Sequence, residues 1–201
     1  GFSKFFTVAD SDMSIKKSSD LDGIILSLSR REIRNARNAI TNARKHFNLV
    51  IVKAQDLKFN REVIENKADI LLDPHIQDEK DTLKHRNAGL NDVVCKLAAK
   101  NKVAIGISFS EILHSEARAI LLGRIKQNIS LCRKFKVPIV LGTFASSLYE
   151  LRNALDLKSF AESIGMTPLE AKRSLLEVNE IINRNKEKRN SFVAEGIRQI
   201  D

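Results

Sequence analysis

Tryptophan is absent, tyrosine occurs once at Tyr149, and the 201 residues hold two cysteines, three prolines and eight glycines. The interior must therefore come from Leu, Ile, Val, Ala and the ten phenylalanines. Cys95 and Cys132 stand far apart in no metal-binding spacing, which argues against a disulfide framework or a cysteine zinc site and for a reduced cytoplasmic setting. No uninterrupted apolar run approaches the ~20 residues that span a bilayer. The opening GFSKFFTVADSD has neither the basic start nor the apolar core of a signal peptide. Gly89, Gly106, Gly123 and Gly142 are isolated and form no phosphate-cradling loop. There is no linker rich in Gly, Pro or Ser, so 1–201 reads as one domain, with residues from about 190 as a short edge strand or a tail.

What the chain has is positive charge, +9 net. An excess of that size favours a polyanionic partner, nucleic acid or anionic membrane, and says little about fold. In SRREIRNARNAITNARKHF the apolar residues Ile33, Ala36, Ile40, Ala43 and Phe47 recur at intervals of three and four, a buried stripe. Arg30, Arg31, Arg34, Arg37, Arg44 and Lys45 occupy the remaining arc, opposed only by Glu32. Surface helices usually mix signs to gain pairs along one face; this one does so little. A second helix, 115–135, is expected to bury Leu122, Ile125, Ile129 and Cys132 and to turn Arg124, Lys126 and Lys134 outward. Stacking aromatics are scarce, so an RNA partner would be held by its backbone and shape.

Apolar runs rich in β-branched residues predict strands at 5–9, 23–27, 49–54, 70–73, 103–109 and 138–144, each followed by a helical pattern. That alternation implies an α/β fold with a parallel sheet. The first turn, ADSDMS, is not the glycine-rich turn of a doubly wound sheet, so a small or irregular TIM-like (β/α) barrel is expected. Helices are expected at 148–164 and after Thr167, which is followed by Pro168 and, three residues on, Glu170.

Asp73 and His75 stand at the end of a strand, where barrel enzymes keep their chemistry. With Asp10 and Asp12 they could hold a metal, and a stand-alone metal-dependent phosphoesterase using Asp10, Asp73 and His75 is the rival reading. It is short of ligands: strand one offers TVADSD without His-x-His, and His46, His85 and His114 form no cluster by spacing. No Ser or Cys has a recognisable catalytic partner.

Between the strands expected at 70–73 and 103–109, Asn87 is expected to cap a helix at 88–100, with Arg86 just outside its N-terminus, where unpaired N–H groups suit a phosphate. The alternative is a salt bridge from Arg86 to Asp78, Glu79 or Asp81. The stretch HRNAGLNDVVCKLAAKNKVAIGISFSEIL resembles the signature of ribonuclease P protein component 3, the thirty-kilodalton subunit family of archaeal and eukaryotic ribonuclease P. NREVIENKADILLDP, NISLCRKFKVPIVLGTFA and FAESIGM are similar to it as well. The resemblance implies an irregular barrel related to PHP-type phosphoesterases that has largely lost its metal ligands. It implies a subunit that assists a catalytic RNA in removing the 5′ leader of precursor tRNA. No cofactor would be bound by this chain, the magnesium being used by the RNA. A small RRM-like subunit would be its partner, in a two-plus-two heterotetramer, with no membrane involved. Arg86, Asn87, Asn91, Lys96 and Arg152 are the contacts it implies; Arg34, Arg37, Lys45, Lys126 and Lys134 join them on charge. The chain departs from the family pattern at RNALDL, 152–157, where a second arginine and a proline are missing.

Overall fold

The computed structural model describes residues 6–10, 21–28, 35–77, 80–82, 86–190, 192–194 and 197–198. Arg34, together with Arg30, Arg31, Ile33, Asp12 and His85, lies outside them. Six strands, β1 (Val8–Asp10), β2 (Gly23–Leu26), β3 (Leu49–Lys53), β4 (Ile70–Leu72), β5 (Ala104–Ser108) and β6 (Ile139–Gly142), form one sheet. Every neighbouring pair is parallel and the spatial order equals the chain order. A doubly wound sheet reverses its order at a switch point; this one never does, and its helices wind in one direction as in a barrel. The architecture is a curled TIM-like half-barrel, with β1 and β6 at its edges among the described residues.

Alternation along the strands explains why both faces are buried. Ile24, Leu26, Val50, Val52, Leu71 and Ile105 point outward to α1 (Ala36–His46), α2 (Leu57–Glu65) and α3 (Asp92–Asn101). Ile107 and Leu141 meet α4 (Phe109–His114), α5 (Arg118–Phe135) and α6 (Ala154–Ser163). The inward residues Ile25, Leu49, Ile51, Ile70, Leu72, Ala104 and Val140 pack against Ile181 and Ile182 of α7 (Pro168–Asn190). That helix therefore covers the concave face that further strands would enclose in a complete barrel. Its start is the expected capping box: Thr167 N donates to Glu170 Oε2 at 2.8 Å and Glu170 N to Thr167 Oγ1 at 3.3 Å. Arg133 of α5 reinforces it, 2.7 Å from Glu170, holding that carboxyl down at about 2.

Three expectations change. The region 148–164 is not one helix: a 3-10 turn at Leu148–Glu150 gives way to extended backbone at Leu151, and Asn153 caps α6 by accepting from Asp156 N at 2.8 Å. Phe109 opens α4, capped by Ser108, and does not extend β5. At the C-terminus, β7 (Phe192–Ala194) and β8 (Ile197–Arg198) pair antiparallel with each other as a separate two-stranded sheet.

Candidate nucleic-acid interface

Two regions could carry function, and their geometry separates them. The first is the carboxyl end of the sheet. Asp10 ends β1, accepts from Ser27 Oγ at 3.3 Å and sits 3.1 Å from the Lys53 ammonium at the end of β3. Asp73 follows β4 in a left-handed conformation, φ 54°, and its Oδ1 accepts the Ser108 N–H at 2.7 Å. Burial pushes its carboxyl up to about 7 against that hydrogen bond. His75 is fully buried, and burial, aided by the Arg124 charge, lowers its imidazole to about 3. It is therefore neutral at physiological pH, so its 3.5 Å approach to Asp73 is no ion pair, and neither ring nitrogen has a hydrogen-bond partner.

This set does not suit a divalent ion. A lysine ammonium beside Asp10 repels a second cation, and Asp73 is pushed toward its neutral form. Among the described residues no three His, Cys, Asp or Glu side chains come together as metal ligands.

The second region is the seam between α3 and α5, built by the chain that follows β4. Gly89 has φ 71°, and a Cβ there would lie 2.0 Å from the Pro74 carbonyl oxygen, so only glycine passes. Buried amides hold the loop: Asn60 donates to Gly89 O at 3.0 Å and Asn128 to Ala88 O at 2.9 Å. The helix it leads into starts later than expected. Asn91, not Asn87, caps α3, accepting from Val94 N at 2.9 Å. Asn87 instead gives its backbone N–H to Asp81 Oδ1 at 2.9 Å.

Arg124 is the residue that charge counting misplaced. It is 6% exposed rather than turned outward. Its guanidinium bonds Asp81 Oδ1 at 2.8 Å and the carbonyls of Gln77 and His75 at 2.9 and 3.3 Å. Burial opposes ionisation of Asp81, but the Asn87 N–H and Arg124 together keep its carboxyl below the usual range. The buried face of α5 runs through Leu121, Arg124, Ile125, Asn128, Ile129 and Cys132. The three- and four-residue spacing carried that signal; Leu122, expected in the stripe, is only partly buried.

The exposed cations then fall into place. Arg86 lies over Gly123, donating Nη1 to its carbonyl at 3.3 Å, and its own carbonyl accepts from Gln127 at 3.2 Å. Lys96 and Lys134 flank the Phe135 ring at 5.7 and 4.9 Å, and Lys134 is 2.8 Å from Asp92. Lys126 is exposed on α5. So Arg86, Asn91, Lys96 and Lys134 lie on the α3–α5 side, while Lys126 is placed only as exposed on α5. Arg152 does not join them: it donates to the carbonyls of Tyr149 and Leu151 at 2.8 Å each and lies 5.6 Å from the Phe109 ring. Arg37 and Lys45 are exposed on α1, while Arg44 turns to Asp69 at 3.0 Å.

This loop-and-helix arrangement lies within the residues, 14–190, that match the family model described as RNase P subunit p30. The chain belongs to that family. Ribonuclease P protein component 3 of Methanothermobacter thermautotrophicus is 31% identical over 179 residues, 88% of this chain and 69% of that protein. The chain spans about two thirds of the length of the curated relatives it matches. A chain in a cryo-EM structure of archaeal ribonuclease P with mature tRNA is 26% identical and superposes with a TM-score of 0.72, over 89% of this chain and 75% of that one. A solved amidohydrolase, 14% identical, shares the fold alone, at a TM-score of 0.56 over 83% of this chain and 44% of its own.

Proposed function

We propose that the chain is a protein subunit of ribonuclease P that binds the catalytic RNA and itself supplies no nucleophile, base or metal ligand to removal of the 5′ leader from precursor tRNA. The observation that carries this reading is the loop 86–91, pinned by Asn60 and Asn128, which presents exposed Arg86 at one end and Asn91 as the cap of α3 at the other, with Lys96 and Lys134 exposed further along the α3–α5 seam, in a member of the p30 family. Backbone phosphates repel one another when RNA segments pack together, and fixed cations offset that repulsion. The Lys53–Asp10 pair and the neutral His75 support assigning the bond-breaking to the RNA and its magnesium.

A small RRM-like subunit, in a two-plus-two assembly, is the protein partner the family resemblance implies. Leu148, Tyr149, Leu151 and Leu155 form an exposed apolar run that suits a protein contact, Tyr149 being 92% exposed. No helix among the described residues is long and apolar enough to cross a membrane, which is compatible with the proposed cytoplasmic site.

Arg86→Glu tests the reading. The variant is expected to lower precursor tRNA processing by reconstituted ribonuclease P on the order of tenfold, with thermal unfolding of the isolated chain unchanged. Wild-type processing by that variant removes Arg86 from the interface.

A further inference from the structure

Four helices end in the same turn at the amino ends of the strands. In each, the second or third residue past the helix gives its N–H to a carbonyl five residues back: Ala68 to Val63, Val103 to Ala98, Val137 to Cys132 and Met166 to Ala161, at 3.4, 3.0, 2.9 and 3.0 Å. That turn requires a left-handed residue at the position between, which is glycine in most proteins. After α6 it is Gly165, φ 102°. After α2, α3 and α5 it is Lys67, Lys102 and Lys136, at φ 58°, 57° and 56°. The sequence repeats accordingly: NKADI, NKVAI and FKVPI lead into β4, β5 and β6.

Lysine is a poor left-handed residue; asparagine, aspartate and histidine are the usual non-glycine occupants. A helix C-terminus attracts cations anywhere in its last turn, so the dipole alone does not call for lysine at the strained position. All three lysines are exposed, and among the described residues none of them is paired with a carboxylate. They stand before three adjacent strands of the sheet, at the end opposite Asp73 and His75.

More cations converge on the same end. Arg184 of α7 donates to Lys102 O at 3.5 Å, Arg189 to Arg44 O and Phe47 O at 2.7 and 3.1 Å, and Arg44 to Lys67 O. These arginines are engaged with carbonyls, and the buried carboxylate among them, Asp69, already takes Val50 N, Arg44 and Asn185. Glu187 is the acidic residue within the Lys186–Arg189 run. Lys188 is held below its usual range first by burial and then by Arg184, Arg44 and Lys102, with Asp69 acting against them. The region thus carries more positive than negative charge among the described residues, an excess that a polyanion offsets.

We propose that Lys67, Lys102 and Lys136 form a rim that takes successive backbone phosphates of an RNA strand, a second RNA contact beyond the Arg86 loop. It rests on the RNA-binding role proposed above, and the test keeps the two apart. In the full chain, Lys67→Asn, Lys102→Asn and Lys136→Asn are combined. Asparagine tolerates the left-handed backbone better than lysine, so loss of fold does not confound the result. The probes are transcribed catalytic ribonuclease P RNA and an unrelated duplex RNA of equal length, each titrated across a KCl series. The triple variant is expected to unfold at the wild-type temperature or above it and to bind both RNAs on the order of tenfold more weakly. The slope of log affinity against log salt should fall by about 2 to 3, from ~0.7 to 0.9 for each of three lost phosphate contacts. Wild-type affinity and slope in the triple variant would overturn the rim. Competition by poly-aspartate as effective as that by RNA would overturn the RNA assignment in favour of an acidic protein. Absence of any wild-type preference for the catalytic RNA would count against the subunit reading while leaving the rim's own result intact.

Discussion

Asp73 and His75 are two residues apart at a strand end, yet burial drives their titrations in opposite directions, to about 7 and about 3. The sequence displayed the pair but not their environment: whether an Asp-x-His coordinates a metal depends on what stands across the sheet, and there Lys53 faces Asp10. Between pH 3.8 and about 7 the folded chain keeps a proton on Asp73 that the unfolded chain has released. Stability therefore falls as pH rises through that window, and the penalty is complete above it. An asparagine side chain at this position would keep an acceptor for the Ser108 N–H and suits φ 54°. Asp73→Asn is accordingly expected to flatten the dependence of Tm on pH between 4 and 7. At pH 8 it should raise Tm by about 2–4 °C, as read by thermal unfolding. A wild-type slope in the variant assigns the effect to another group. Arg124 is the complementary lesson. Its charge suggested solvent, whereas its three- and four-residue spacing from Leu121 and Asn128 places it inside, where Asp81 and two carbonyls receive it.

At the scale of elements, the six strands stood out because residues buried on both faces leave consecutive apolar letters, and the observed bounds fall within two or three residues of those expected. The helix before β5 was legible in existence but not in its start. RNAGLND offers two asparagines as caps, and the choice is made by tertiary contacts: Asn60 and Asn128 pin the backbone at Gly89 and Ala88, so the helix begins only after Asn91. The break at 151–153 is not legible because LYELRNALDL keeps helical composition throughout. Gly89→Ala tests how firmly the loop is held. With its new methyl against Pro74 O and a positive φ, the variant is expected to lose roughly 2–4 kcal/mol in urea unfolding. A loss under about 1 kcal/mol would mean the loop relaxes freely and does not preorganise Arg86.

For the whole molecule, sequence order and charge carried most of the conclusion, since a singly wound parallel sheet and a +9 chain follow from pattern and counting. The place of α7 did not. Val178, Ile181 and Ile182 announce an apolar stripe, but a stripe does not say which face of a sheet it covers, and only the fold puts it on the concave side. The dispersal of cations was equally hidden: exposed Arg86 and Lys96 lie on the α3–α5 side, Arg37 and Lys45 on α1, and Lys67, Lys102 and Lys136 at the amino ends of the strands. A molecule so arranged offers exposed cations on more than one side, which suits the proposed role of holding a large RNA in shape. The most direct test is cleavage of precursor tRNA by the catalytic RNA reassembled with its protein subunits, with and without this chain, at limiting magnesium. Omission of the chain is expected to slow 5′-leader removal on the order of tenfold, and the isolated chain should release no product. Undiminished cleavage without the chain, or chelator-sensitive cleavage by the chain alone, would contradict the account.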